Sequence, residues 1–190
     1  MKTVLALIAL VGLISVPLMA QDYPKAEVFG GYQYLHLGGI SSGGVTSDGQ
    51  SFNGWNASLT GNFSKHFGVA GDFGGGYATI SGVSTHVYTY TGGPVVSLDS
   101  GGKINPFVHA LFGGVHASAS ASSGGVTGSV SKNGFTMLFG GGVDAKINKA
   151  IAIRLIQADV LYYHFSGIAG GNSISQSNNV RISTGIVFNF

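Results

Sequence analysis

The final stretch of the chain, residues 179–190, reads N-V-R-I-S-T-G-I-V-F-N-F. One parity carries Val180, Ile182, Thr184, Ile186, Phe188 and Phe190, and the other carries Asn179, Arg181, Ser183, Gly185, Val187 and Asn189. Successive side chains of a strand point to opposite sides, so this period of two defines a strand with unlike faces. Strands of a soluble sandwich alternate too, but they usually run about five or six residues. A strand that crosses a bilayer needs about 9–11. The length favours a crossing strand, with its continuous apolar face toward lipid and its small, polar, Arg-bearing face toward a barrel interior.

A final strand of alternating apolar residues ending in Phe resembles the assembly signal of bacterial outer-membrane β-barrels, matched here at Ile182, Ile186, Phe188 and Phe190. The resemblance implies that Phe188 and Phe190 are read by the barrel-insertion machinery during assembly. The competing reading is an ordinary terminal strand of a soluble β-protein. Only 8% of the residues are charged, against about 25% in a typical soluble domain, which suggests that much of the surface does not face water. A net charge of +2 is too small to imply a nucleic-acid partner, and no basic cluster appears, so none is expected. The absence of Cys excludes a disulfide scaffold, a thiolate metal site and lipid attachment at an N-terminal Cys.

The chain begins with a single Lys followed by an unbroken apolar run up to a small residue, Ala20. This is the pattern of a cleavable secretory signal peptide over 1–20, although Leu18 occupies a position where a small residue is usual. The mature part, 21–190, is one domain in size.

Beyond residue 20 no helical period appears. Alternating segments recur at 25–37, 54–63, 67–77, 85–98, 105–116, 134–145, 150–165 and 179–190. Between them, short connections near 64, 101 and 147 hold much of the charge, whereas 38–53, 117–133 and 166–178 are long, Ser/Gly-rich and predicted as loops, with a shorter turn at 78–84. Tyr32 and Tyr34 share a parity suited to an interfacial belt. Eight strands, short turns at one end and longer loops at the other resemble the eight-stranded OmpA-like outer-membrane barrels. The resemblance spans the whole mature part and implies an all-β, eight-stranded antiparallel transmembrane barrel in the cell outer membrane of a Gram-negative bacterium, surrounded by lipid and monomeric.

Few residues suggest chemistry. The run Gly140-Gly141-Gly142 fails the dinucleotide fingerprint because Ala145 stands where its last Gly belongs and no helix follows. The glycine runs are instead expected to let strands bend and to fit beneath neighbouring aromatics. The six His show no H-x-H or H-x-x-x-H spacing, so neither a metal nor a cofactor is expected. His164 and Ser166 resemble the His-x-Ser step of outer-membrane lipid A deacylases, in which an acid orients the His. Here the only Glu is Glu27, placed near the opposite end of the barrel, and no Asp follows Asp159.

Charges on otherwise apolar strands carry more information. Glu27, Asp72, Asp144, Asp159 and Arg181 are expected inside, because a charge cannot cheaply face lipid at mid-membrane. An eight-stranded interior is just wide enough for side chains to fill, so a plugged polar core is expected. Arg154 breaks the alternation set by Asp159: either a bulge shifts the register or Arg154 reaches toward headgroups. Asp159 lies nine residues from Ala150, and Arg181 nine from Phe190. Neighbouring antiparallel strands would bring the two to one height and pair them. The expected role is non-enzymatic, structural or surface-interacting. A narrow pore for ions or very small solutes is the alternative, and a lipid A-modifying enzyme the less favoured one.

Overall fold

A computed structural model describes residues 23–42, 45–80, 82–98, 101–123, 126–168 and 172–190. The signal peptide expected over 1–20 and its cleavage point lie outside the described residues. The chain is all β. Strand β1 is Ala26–Leu37, followed by a small hairpin of β2 (Ile40–Ser42) and β3 (Val45–Ser47), then β4 (Gln50–Asn62), β5 (Phe67–Ile80) and β6 (Val83–Ser97). The second half holds β7 (Ile104–Ser123), β8 (Val126–Lys146), β9 (Ile151–Ile168) and β10 (Asn172–Asn189). All but β2 and β3 form one closed antiparallel barrel of eight strands, in the order β1-β10-β9-β8-β7-β6-β5-β4. Closure removes sheet edges, which allows a β-structure to stand in lipid with its backbone satisfied.

The two ends of the barrel differ. The connection 63–66, residues 98 and 101–103, the connection 147–150 and the chain's last residue gather at one end, called here the turn end. The other, the hairpin end, is uneven, because β7 and β8 run 20 and 21 residues whereas β1 runs 12. The segment 117–133, predicted as a loop, is a correction: 117–123 and 126–133 continue β7 and β8, paired in register out to Ser123 and Val126. The segment 166–178 is corrected likewise, since β9 continues to Ile168 and β10 starts at Asn172. Ser, Ala and Gly carry no apolar alternation, so the period was silent where backbone pairing extended the strands. The predicted turn at 78–84 tightens around Gly82, at φ +81°, with Ile80 and Val83 paired.

Alternation sorts the faces. Outward, Leu59, Phe73, Val108, Phe139, Val160 and Ile186 are exposed apolar side chains from six different strands. On the last strand Ile182 and Phe188 are exposed, as is Phe190 just beyond it, while Arg181, Ser183 and Val187 are buried. The glycines work as spacers. A Cβ on Gly75 would lie 2.7 Å from the Trp55 indole nitrogen, and one on Gly114 would collide with the Tyr90 ring.

The interior is not uniformly polar, which corrects the expectation of a polar core. Toward the hairpin end, Leu35, Phe52, Val87, Leu111, Val115, Leu138, Leu161 and Tyr163 form an apolar cluster, flanked by Leu37, Ile80 and Phe165, which continues along one wall into the turn-end half through Ala70, Val95 and Phe107. Ionic side chains occupy the layer toward the turn end. A separate apolar group of Phe29, Ala152 and Val187 lies beneath them.

Candidate functional site

The buried charges form a continuous network. Arg181 stands directly opposite Asp159 across β10 and β9. Its Nε donates to Asp159 Oδ2 at 2.8 Å, its Nη2 reaches the same oxygen at 2.7 Å, and its Nη1 donates to Asp72 Oδ1 at 2.7 Å. All three residues are at most 2% exposed. Asn56 Nδ2 donates to the second Asp72 oxygen at 2.9 Å. Asp159 Oδ1 meets His109 Nε2 at 2.7 Å, and Gln157 Nε2 donates to Asp159 Oδ2 at 2.9 Å. Gln157 Oε1 in turn accepts from Arg154 Nη1 at 2.7 Å, and Arg154 holds Asp144 in a two-pronged bond of 2.8 and 3.0 Å. The guanidinium of Arg154 also lies between the Phe29 and Phe107 rings, 4.4 and 4.2 Å from their centroids. Such a sandwich is favourable to a desolvated cation.

Of the two placements open for Arg154, the structure takes the bulge. Val143 pairs with Ile156 but Asp144 with Arg154, so Leu155 has no opposite number on β8. Leu155 and Ile156 both face out, 53% and 47% exposed, and the alternation restarts with Arg154 inside.

Glu27 stands apart from the network, near the turn end, and accepts from Asn62 Nδ2 at 2.8 Å. It shares a cavity of about 20 Å³ with Asp72, His109, Asp144, Arg154 and Gln157. A second cavity of about 20 Å³ lies closer to the chain's start, lined among others by Tyr23, Glu27, Asp144 and Lys146. Each has room for about one water molecule. Among the described residues no group of three His, Asp or Glu side chains is arranged to hold a metal ion. His109, Gln157 and Asn56 complete the network but were not singled out from sequence; their inward parity beside Asp159 and Asp72 was the available signal.

His164 lies at the hairpin end, and its Nδ1 bonds Ser175 Oγ across the strand pair at 2.9 Å, not Ser166. Glu27 pairs with Asn189 and Thr60 at the opposite end of the barrel and cannot orient it.

No protein-family model matches the sequence, and no curated protein matches it. Solved structures do. Ail, the attachment invasion locus protein of Yersinia pestis, superposes with a TM-score of 0.57 at 18% identity, covering 88% of this chain and 99% of that one. Neisserial surface protein A gives 0.57 at 15% identity, over 87% and 97%. OprG from Pseudomonas aeruginosa gives 0.51 at 12% identity, over 90% and 99%. The chain has the fold of a small outer-membrane β-barrel. Its apolar outer wall and charged inner layer are those a bilayer-spanning barrel requires, and the outer membrane of a Gram-negative cell is where barrels of this fold reside.

Proposed function

We propose that this outer-membrane barrel is a closed, non-enzymatic protein with a structural or surface-interaction role, its hairpin end outside the cell and its turn end in the periplasm. One observation carries the reading: the Arg181–Asp159–Asp72 clamp spans the lumen beneath an apolar layer of Leu35, Phe52, Leu111, Leu138 and Leu161. Ions would have to cross both a locked charge layer and a dry one, and the adjoining cavities hold about one water each. Short turns on the periplasmic side and longer extensions outside are the usual arrangement in such barrels. The β7–β8 hairpin offers the outside a surface of Ser, Ala and Gly with Val130 and Lys132 among them. Ail, which shares the fold, is named for attachment. The terminal Phe188 and Phe190, 44% and 54% exposed at the turn end, are available to the insertion machinery as well as to lipid. The barrel acts as a monomer.

Conductance across planar bilayers tests the closure. The purified barrel, shown to be folded by its changed gel migration on boiling, is expected to be silent. Discrete ion-conducting steps from the folded protein would replace this reading with that of a narrow pore.

A further inference from the structure

Four of the six His share a pattern that the interior does not explain. His36, His86, His116 and His164 all point outward near the hairpin end, and each stands directly opposite a Ser or Asn on the next strand: Ser51, Ser118, Asn133 and Ser175. In three of them Nδ1 is engaged by that partner, at 3.0 Å to Ser51, 2.6 Å to Asn133 and 2.9 Å to Ser175. With Nδ1 anchored, the ring is fixed and Nε2 is turned away from the partner.

The four rings belong to one circumferential belt. Tyr34 shares Ser51 with His36. Trp55 donates to the Tyr77 hydroxyl at 3.1 Å, and Tyr77 packs edge-on against His86 and Tyr88, with centroids 5.3 and 5.9 Å apart. Tyr88 stands opposite His116, and Phe135 opposite His164. Aromatic side chains with a polar tip settle at the boundary between hydrocarbon and headgroup, so the imidazoles lie at headgroup level, facing lipid.

The distribution of cations makes the position informative. Lys25, Lys65, Lys103, Lys146 and Lys149 lie at the turn end, and Arg154 and Arg181 are inside the barrel. Among the described residues Lys132, next to Asn133, is the only Lys or Arg near the hairpin end. The other titratable groups facing the belt are its own tyrosines and Asp48, which adjoins Gly49 against the His36 ring. Around most of this rim, only imidazoles can supply positive charge.

We propose that the His belt is a proton-gated binding surface for the anionic phosphate groups of outer-leaflet lipids. An imidazole changes charge between about pH 5 and 8. A protonated ring is a cationic donor to phosphate, and a neutral ring cannot hold that contact by charge. The inference rests on the membrane-spanning reading and on its assignment of the hairpin end to the outer leaflet.

Trp55, the sole tryptophan, sits in the belt beside Tyr77 and reports on its own lipid neighbours. The protein is refolded into phosphatidylcholine vesicles containing brominated phosphatidylglycerol, whose single phosphate charge is constant across the window, or brominated phosphatidylcholine. Quenching of Trp55 is then compared at about pH 5.5 and 8. The preference for phosphatidylglycerol should rise about fivefold on acidification, the scale of one basic group near an anionic surface. It should stay flat in His36→Gln/His86→Gln, which keeps hydrogen-bonding side chains but cannot become charged; each single substitution should remove part of the rise. A flat wild type, or a double variant with the full rise, would overturn the belt while leaving a heat-modifiable barrel intact. Displacement of the phosphatidylglycerol by inorganic phosphate would overturn the assignment to lipid. A chain that never becomes heat-modifiable in vesicles would overturn the membrane reading, and the belt with it.

Discussion

The two halves of the barrel interior solve the same problem by opposite means. Toward the turn end, the lumen is filled by Arg181, Arg154, Asp72, Asp144 and Asp159, each held by at least two bonds of 3.0 Å or less. Toward the hairpin end it is filled by Leu111, Leu138, Leu161, Phe52 and Tyr163 without an ion among them. The apolar half gains from contact area alone and loses in proportion to what is removed. The ionic half is all-or-none, because each charge is tolerable only while its partner is present. Damage should therefore be graded in one half and abrupt in the other.

The largest effect is expected from Arg181→Ala. It leaves two carboxylates facing each other in a buried space, and removal of one member of a buried pair costs about 3–5 kcal/mol. Urea unfolding in lipid vesicles should show this loss. In the cycle with Asp159→Ala the double variant should cost less than the sum of the two, and additive costs would sink the coupling. Leu138→Ala, fully buried in the apolar half, should cost about 2–4 kcal/mol. It should also leave the barrel electrically silent, because the ionic layer still closes the lumen, and a conducting L138A beside a silent wild type would show that the apolar layer alone is the barrier. Gln157→Ala cuts the link between Arg154 and Asp159 but leaves both ion pairs, so about 1–2 kcal/mol is expected by the same unfolding assay. The smallest change should carry the opposite sign. Thr136 lies fully buried on the inner wall, and its hydroxyl has no protein partner. Thr136→Val should leave stability unchanged or raise it by up to about 1 kcal/mol, and a loss above that amount would show that the hydroxyl is bonded in solution.

The outer wall was more legible in the sequence than the contents. Strict alternation over 180–190 and 55–60 assigned lipid-facing and inward residues because lipid on one side and a packed lumen on the other impose unlike chemistry at every second position. The pairing of Asp159 with Arg181 followed from counting residues up from the turn end, since antiparallel neighbours convert equal counts into equal heights. The apolar half of the lumen was missed because there both faces are apolar and the period disappears: Ala110-Leu111-Phe112, Met137-Leu138-Phe139 and Val160-Leu161-Tyr162 each place a Leu inside between outward-facing neighbours. Those unbroken runs were the signal. The extension of β7 and β8 left no signal at all in a Ser, Ala and Gly sequence, because its ladder is made by backbone groups that every residue carries. Arg154 looked anomalous only while alternation was assumed to be continuous; two adjacent apolar residues, Leu155 and Ile156, marked the place where it resets.

The position of Arg181 ties ion pairing to closure of the cylinder. Asp72 is carried on β5 and Asp159 on β9, whereas the guanidinium that neutralises both is on β10, the strand that seals the cylinder against β1. Until that strand docks, two carboxylates sit in the lumen without their Arg counter-ion, and a half-closed intermediate in the bilayer bears their full electrostatic cost. Docking relieves both at once. Sealing of the cylinder and neutralisation of its two innermost carboxylates are therefore the same event, because both are made by one strand.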